Sequence, residues 1–179
     1  MMIETSRFGS ISVSNEEILS FPEGMLGFSK IHQYVLLERA DDPLFVWLQA
    51  LKKPNVAFPL LEPEIFEKQY KIELEEEDQK ILEIDSAEPM KVFAIITIPT
   101  DPTKMTANLL APIVMNLKKR VARQVILHAT DYPIRRAIYN ELQQFCVSAQ
   151  RPLFPDAEAP VYQAIRINED FERLSSANG

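Results

Sequence analysis

Glycine is scarce in this chain: there are four among 179 residues, about a third of the usual share of roughly 7%. That scarcity leaves no backbone cradle for phosphates, and no GxGxxG, Walker or GxSxG pattern occurs. The single cysteine, Cys146, has no partner for an internal disulfide and is too few for a thiolate zinc centre. The only histidines, His32 and His128, lie far apart and outside any HExxH arrangement. No apolar run approaches the roughly 20 residues of a membrane helix, and the opening MMIETSRFGS has no apolar leader core. Positive charge is the minority: 19 basic side chains face 26 acidic ones, a net charge of −7. Phosphate backbones repel such a chain unless its positives cluster, which argues against general nucleic-acid binding. The expectation is a cytoplasmic protein with no cofactor, no metal and no membrane contact.

Proline, by contrast, is abundant, at 13 residues. Each tends to stop a helix, and the short segments between them are rich in Val, Ile and Phe. This pattern predicts an all-β or mostly β domain, with barrel and sandwich both open. The length suits one core. The predicted strands are ISV at 11–13, YVLLE at 34–38, LFVWLQAL at 44–51, VAFPLL at 56–61, YKIEL at 70–74, MKVFAIITIP at 90–99, TANLLAPIVMNL at 106–117 and VILHA at 125–129. Leu44 to Leu51 alternates only loosely, as in a strand covered on both faces. Ser14 and Glu17 have capping-box spacing, but the apolar run before Pro22 is too short for a helix.

PEIFEKQY reads as a helical turn begun by Pro63, and a short helix is expected within the acidic stretch that follows. In RRAIYNELQQF, Ile138, Leu142 and Phe145 recur at spacings of four and three, one face of a helix. The proline-rich QRPLFPDAEAP marks a boundary, dividing a barrel domain at 1–146 from an extension at 147–179. Val161, Ile165 and Leu174 place a second helix in that extension.

Catalytic constellations are missing. A lone histidine in a strand-like segment is ordinarily structural or superficial; His128 with Asp131 is the residue pair an enzyme reading would use. Cys146, between Phe145 and Val147, reads as a small buried hydrophobe. Two charge clusters remain. Residues 73–88 carry eight carboxylates, Glu73, Glu75 and Glu76 among them, against Lys80 alone. They lack the glycine that a calcium loop needs at its sharp turn, so they read as a solvated acidic face. Lys118, Lys119, Arg120 and Arg123 form a basic hairpin, the basis of an alternative reading as an RNA-binding β-barrel. RNA-binding barrels stack bases on aromatics, and the hairpin 118–123 has none. FPEGMLGF at 21–28 holds Gly24 and Gly27 between two phenylalanines, and reads as a rigid structural turn with positive-φ points.

FPEGMLGF, HQYVLLE at 32–38, FVWLQ at 45–49, VFAIITIP with TANLLAPIVMN over 92–116, and QVIL at 124–127 together resemble the bacterial flagellar assembly factor family FliW. The likeness runs from about residue 2 to about residue 140. It implies a mostly β, single-domain, barrel-like antiparallel fold with short capping helices, which is not an enzyme and alternates between two protein partners in the cytoplasm. One is flagellin. The other is the carbon storage regulator, an RNA-binding repressor of flagellin translation, which the factor sequesters non-competitively when flagellin is scarce. An RNA-gripping protein presents positive surface, so the acidic run is where its contact is expected, at Glu73, Glu75 and Glu76, with Phe66 and Tyr70 as aromatic anchors. Lys71 interrupts that edge, and the segment from Val147 onward exceeds what compact members of the family need.

Overall fold

The computed structural model describes residues 1–85, 88–128, 130–155, 159–168 and 171, with only the backbone described for Asp42 and Pro43. Strands β1 (Met2–Thr5) and β2 (Gly9–Ser12) pair as a separate hairpin. Strands β3 (Ile18–Ser20), β4 (Gln33–Arg39), β5 (Asp42–Ala50), β6 (Ala57–Leu61), β7 (Met90–Thr97), β8 (Thr106–Asn116) and β9 (Val121–Gln124) follow one another in a single sheet. Because β9 pairs with both β8 and β3, the sheet closes into a seven-stranded ring. Closure satisfies strand edges that would otherwise be open to other chains. All neighbours are antiparallel except the closing pair, where Ser20 meets Val121 and the Ser20 N–H donates to the Arg120 carbonyl at 2.9 Å. The mostly β content is what the strand spacing predicts, and the barrel is what the family resemblance implies.

Several strands bury both faces. In β4, Tyr34 and Leu36 point into the barrel with Leu48 and Phe93, while Val35 and Leu37 point outward against Ile3, Ile11 and Val13 of the hairpin region. In β5, Val46 and Leu48 lie inside. Trp47 lies outside against Phe8, with the Arg7 guanidinium 4.7 Å from its ring centroid. The loose alternation of FVWLQ is therefore that of a strand roofed by a second layer. In β8, Ile113 and Met115 face inward and Val114 faces outward beneath Leu82.

Helix α1 (Glu76–Ile81) lies in the acidic stretch, and helix α2 (Tyr139–Ser148) sets Leu142 and Cys146 onto Leu61, Ala94, Ile96 and Ala107. Two short strands complete the sheet: β10 (Arg136–Ala137) on β8 and β11 (Tyr162–Ala164) on β4.

Four local expectations are corrected. VILHA is not a strand: β9 lies just before it at Val121–Gln124, and residues 125–128 run on irregularly. There the Val125 and Leu127 N–H groups donate to the Pro112 and Leu110 carbonyls at 2.8 and 2.9 Å, and residue 129 lies outside the described residues. YKIEL is not a strand: residues 70–75 are irregular. The alternation is genuine, since Tyr70, Ile72 and Leu74 all pack on the cluster around Leu82, but the segment lies across the sheet instead of joining it. The helix expected from Val161 to Leu174 is a strand at Tyr162–Ala164, where the Ile165 N–H also donates to the Leu36 carbonyl at 2.9 Å. Tyr162 and Ala164 pack with Val35 and Leu37 while Gln163 faces solvent, a period of two; Leu174 lies outside the described residues. Ser14 and Glu17 do cap, but only a single 3-10 turn at Asn15–Glu17, with the Ser14 N–H donating to Glu17 Oε2 at 2.7 Å.

The loop 21–28 is a packed turn. Phe21 is buried edge-on to Tyr34, and Phe28 meets Phe58. Gly24 has φ +67°, and a Cβ there would sit 2.5 Å from the Phe28 carbonyl oxygen. Gly27 has φ +82° but open space around it. Gly24→Ala combines clash with strain and is expected to cost about 2–3 kcal/mol, whereas Gly27→Ala meets only the backbone penalty of about 1 kcal/mol. Urea unfolding of the two variants should rank them in that order.

Tyr34 is fully buried, and its hydroxyl finds no hydrogen-bond partner among the described residues. Burial pushes its phenol up to about 12. An unfolded tyrosine ionises near pH 10, so Tyr34 contributes full stability below pH 10 and loses that contribution as pH rises through 12. Tyr34→Phe should match or exceed the parent by up to about 2 kcal/mol at neutral pH. It should also unfold less readily between pH 10 and 12, as followed by circular dichroism.

Candidate partner-binding site

The acidic stretch is held on the barrel by both apolar and polar contacts. Leu82 is fully buried against Val114, Val125 and Leu127. Asn116, also fully buried, donates through Nδ2 to the carbonyls of Leu82 (2.9 Å) and Glu83 (3.2 Å) and to Glu88 Oε2 (2.7 Å). Its Oδ1 accepts from the N–H groups of Lys118 and Lys119. One side chain thus fixes both the end of α1 and the β8–β9 turn. At the other end of α1 the Glu75 N–H donates to Asp78 Oδ2 at 3.0 Å, and acidic residues fill the first turn, where the helix dipole favours them.

Asp78 is only 7% exposed. Its charge is met by Arg123, whose Nε lies 3.4 Å from Asp78 Oδ1 and whose Nη2 lies 3.3 Å from Glu23 Oε2. The acidic and basic clusters therefore touch, and one guanidinium ties α1 to the glycine-bearing loop. Arg136, further along, pairs with Glu67 and Glu141. Of the basic hairpin, Arg123 is thereby paired, while Lys118 and Lys119 are exposed. Sequence reading misses the Arg123–Asp78 pair because nothing local to either residue marks it.

The five residues singled out for partner contact separate into two sets. Glu73, Glu75 and Glu76 are exposed. Phe66 is 4% exposed and belongs to the core beside α2. Tyr70 is half-buried, with its ring 4.7 Å from that of Tyr132 and its hydroxyl donating to the Leu109 carbonyl at 2.7 Å. Burial, with Tyr132 alongside, pushes its phenol well up. Both aromatics are committed to packing and do not protrude. His128 and Asp131 are exposed and line a shallow depression with Lys71 and Glu73, and Cys146 is buried in the core.

Between the loop 21–28 and the start of α1 runs a groove of about 310 Å³. Glu23, Glu75, Glu77 and Asp78 line it against Arg123 alone among Lys and Arg, and Leu26 and Ile126 stand at it, 56% and 45% exposed.

The sequence model described as FliW protein matches residues 2–138. The chain belongs to the FliW family. The flagellar assembly factor FliW of Bdellovibrio bacteriovorus is 46% identical over 144 residues, 80% of this chain and 82% of that one. The Bacillus subtilis flagellar assembly factor FliW is 38% identical over 141 residues, 79% of this chain and 99% of that one. Among solved structures, a crystal structure of the flagellar assembly factor FliW superposes with a TM-score of 0.72 at 33% identity, covering 77% of this chain and 96% of that one. This FliW chain has no helix among its described residues long and apolar enough to cross a membrane.

Arg123→Gln leaves Asp78 buried without a counterion and should cost about 2 kcal/mol. Glu23→Gln removes a half-exposed partner and should change stability by less than about 0.5 kcal/mol. Thermal melts of both variants at pH 7 check the contrast.

Proposed function

We propose that this FliW protein acts as a non-enzymatic flagellar assembly factor in the cytoplasm, binding flagellin and, alternately, the carbon storage regulator. Occupying the regulator relieves its repression of flagellin translation, and accumulating flagellin returns the regulator to the message. The family membership supports the flagellar role. The observation that supports the regulator contact is the exposed acidic face at Glu73, Glu75 and Glu76, held rigidly on the barrel through Leu82 and Asn116.

The electrostatics suit that role. A protein that grips RNA is positive where it does so, and an acidic surface attracts it over a Debye length of about 8 Å at physiological salt. Such steering raises the association rate more than it deepens the complex. The charges at the contact are exposed, so they contribute little to the fold and are free to serve recognition. The packing of Phe66 and Tyr70 shifts the emphasis of this contact from aromatic anchors to charge.

Pull-down and calorimetry with purified flagellin and purified regulator test the reading, and binding to neither overturns it. Glu73→Lys with Glu75→Lys should slow association with the regulator about tenfold at low salt, at an unchanged melting temperature. An association rate insensitive to that change, measured by stopped-flow fluorescence, removes the acidic face from the interface.

A further inference from the structure

We propose that the groove between the loop 21–28 and α1 is the seat of the acidic face's partner, and that its occupant is a basic segment of that partner carrying an aliphatic side chain. The inference rests on the preceding reading, that a positively charged protein binds the acidic face, and adds where and by what shape it does so.

Three features of the groove converge. Its exposed walls are mainly acidic: Glu23 on the loop side and Glu75 and Glu77 on the helix side stand exposed, with His128 at the same groove, while the Arg123 guanidinium lies mostly buried between Glu23 and Asp78. A lysine or arginine entering between these walls meets carboxylates from both sides. Leu26 and Ile126, both exposed, stand at the same groove. They supply the apolar contact that Phe66 and Tyr70, committed to packing, do not. The walls are also fixed before any partner arrives. The Leu26 N–H donates to Gln124 Oε1 at 3.0 Å, and the Phe28 N–H donates to the Met25 carbonyl at 2.8 Å. A pre-formed groove costs little ordering on binding.

The charge pattern selects the occupant. An acidic or neutral apolar segment would bring Leu26 and Ile126 the same contact but would desolvate Glu75 and Glu77 with nothing to pair them. Only a segment with positive charge beside its aliphatic side chain satisfies both. At this size the groove holds a few side chains, which suits the centre of a small interface and not an entire one.

The test uses the full chain and the purified carbon storage regulator, with flagellin as the second ligand. Leu26→Ser with Ile126→Ser should weaken regulator binding at least tenfold, chiefly through faster dissociation, at an unchanged melting temperature. Glu23→Gln with Glu77→Gln should instead slow association and flatten its salt dependence. Val147→Ser, an exposed aliphatic on α2, should change neither. Regulator binding within twofold of the parent in the Leu26/Ile126 variant overturns the groove while leaving the acidic-face reading standing. Loss of flagellin binding alone in that variant overturns the assignment of occupant. A parent chain that binds no regulator overturns both readings together.

Discussion

The central strands of this barrel are apolar on both faces, and most of what lies outside the ring follows from that. A seven-stranded ring holds one layer of inward side chains, which leaves Val35, Leu37, Trp47 and Val114 facing out. Left in water, each would forfeit about 1.5–3 kcal/mol of burial. The chain covers them with its own flanking segments. The β1–β2 hairpin and β11 roof β4 and β5, and residues 70–84 roof β8. The acidic stretch is therefore not a tail that happens to be charged. Its Ile72, Leu74 and Leu82 are the underside of a cover, and Glu73, Glu75, Glu76 and Glu77 face outward because the apolar positions between them are spent on Val114 and its neighbours.

The same logic explains why the cover needs polar fastening. Apolar packing is non-directional and holds a short segment loosely in register, whereas buried hydrogen bonds and ion pairs fix position. Asn116 and Arg123 do this from β8 and β9. Asn116 joins the end of α1 to the turn after β8, and Arg123 joins the start of α1 to the loop after β3. A buried guanidinium among carboxylates contributes modest net stability once desolvation is counted. Its structural consequence is geometric: two elements distant in sequence are held at a fixed separation, and the space between them is the groove.

Much of the barrel was legible from the chain. Alternation and β-branched runs mark β4, β5, β7 and β8, and the 3.6-residue period marks α2, because these elements bury continuous faces. The failures share a cause. Tyr70, Ile72 and Leu74 alternate as a strand does, and only the absence of a free neighbouring edge makes them a cover. Tyr162–Ala164 carries too few residues for its period to show, and its pairing is set by the free flank of β4. Among the site residues, Gly24 and Gly27 were readable because positive φ selects glycine. The acidic run was readable as exposed. Phe66 was not readable as core, because whether an aromatic beside charges faces in or out depends on α2, which arrives from much later in the chain.

Charge segregation on this molecule is a product of folding more than of composition. With a net charge of −7, a uniformly mixed surface would repel acidic partners weakly and attract basic ones weakly from every side. Pairing Arg123 with Glu23 and Asp78 draws one guanidinium inward beside the acidic face. The carboxylates of Glu73, Glu75, Glu76 and Glu77 are left outward on a rigid cover, so the field they produce has a direction. On the function proposed above, that direction orients a basic ligand before contact, and the exposed Leu26 and Ile126 lie at the adjoining groove. The largely buried Arg123 that ties down the cover thereby leaves the exposed carboxylates, interrupted by Lys71 and Lys80, as its dominant charge.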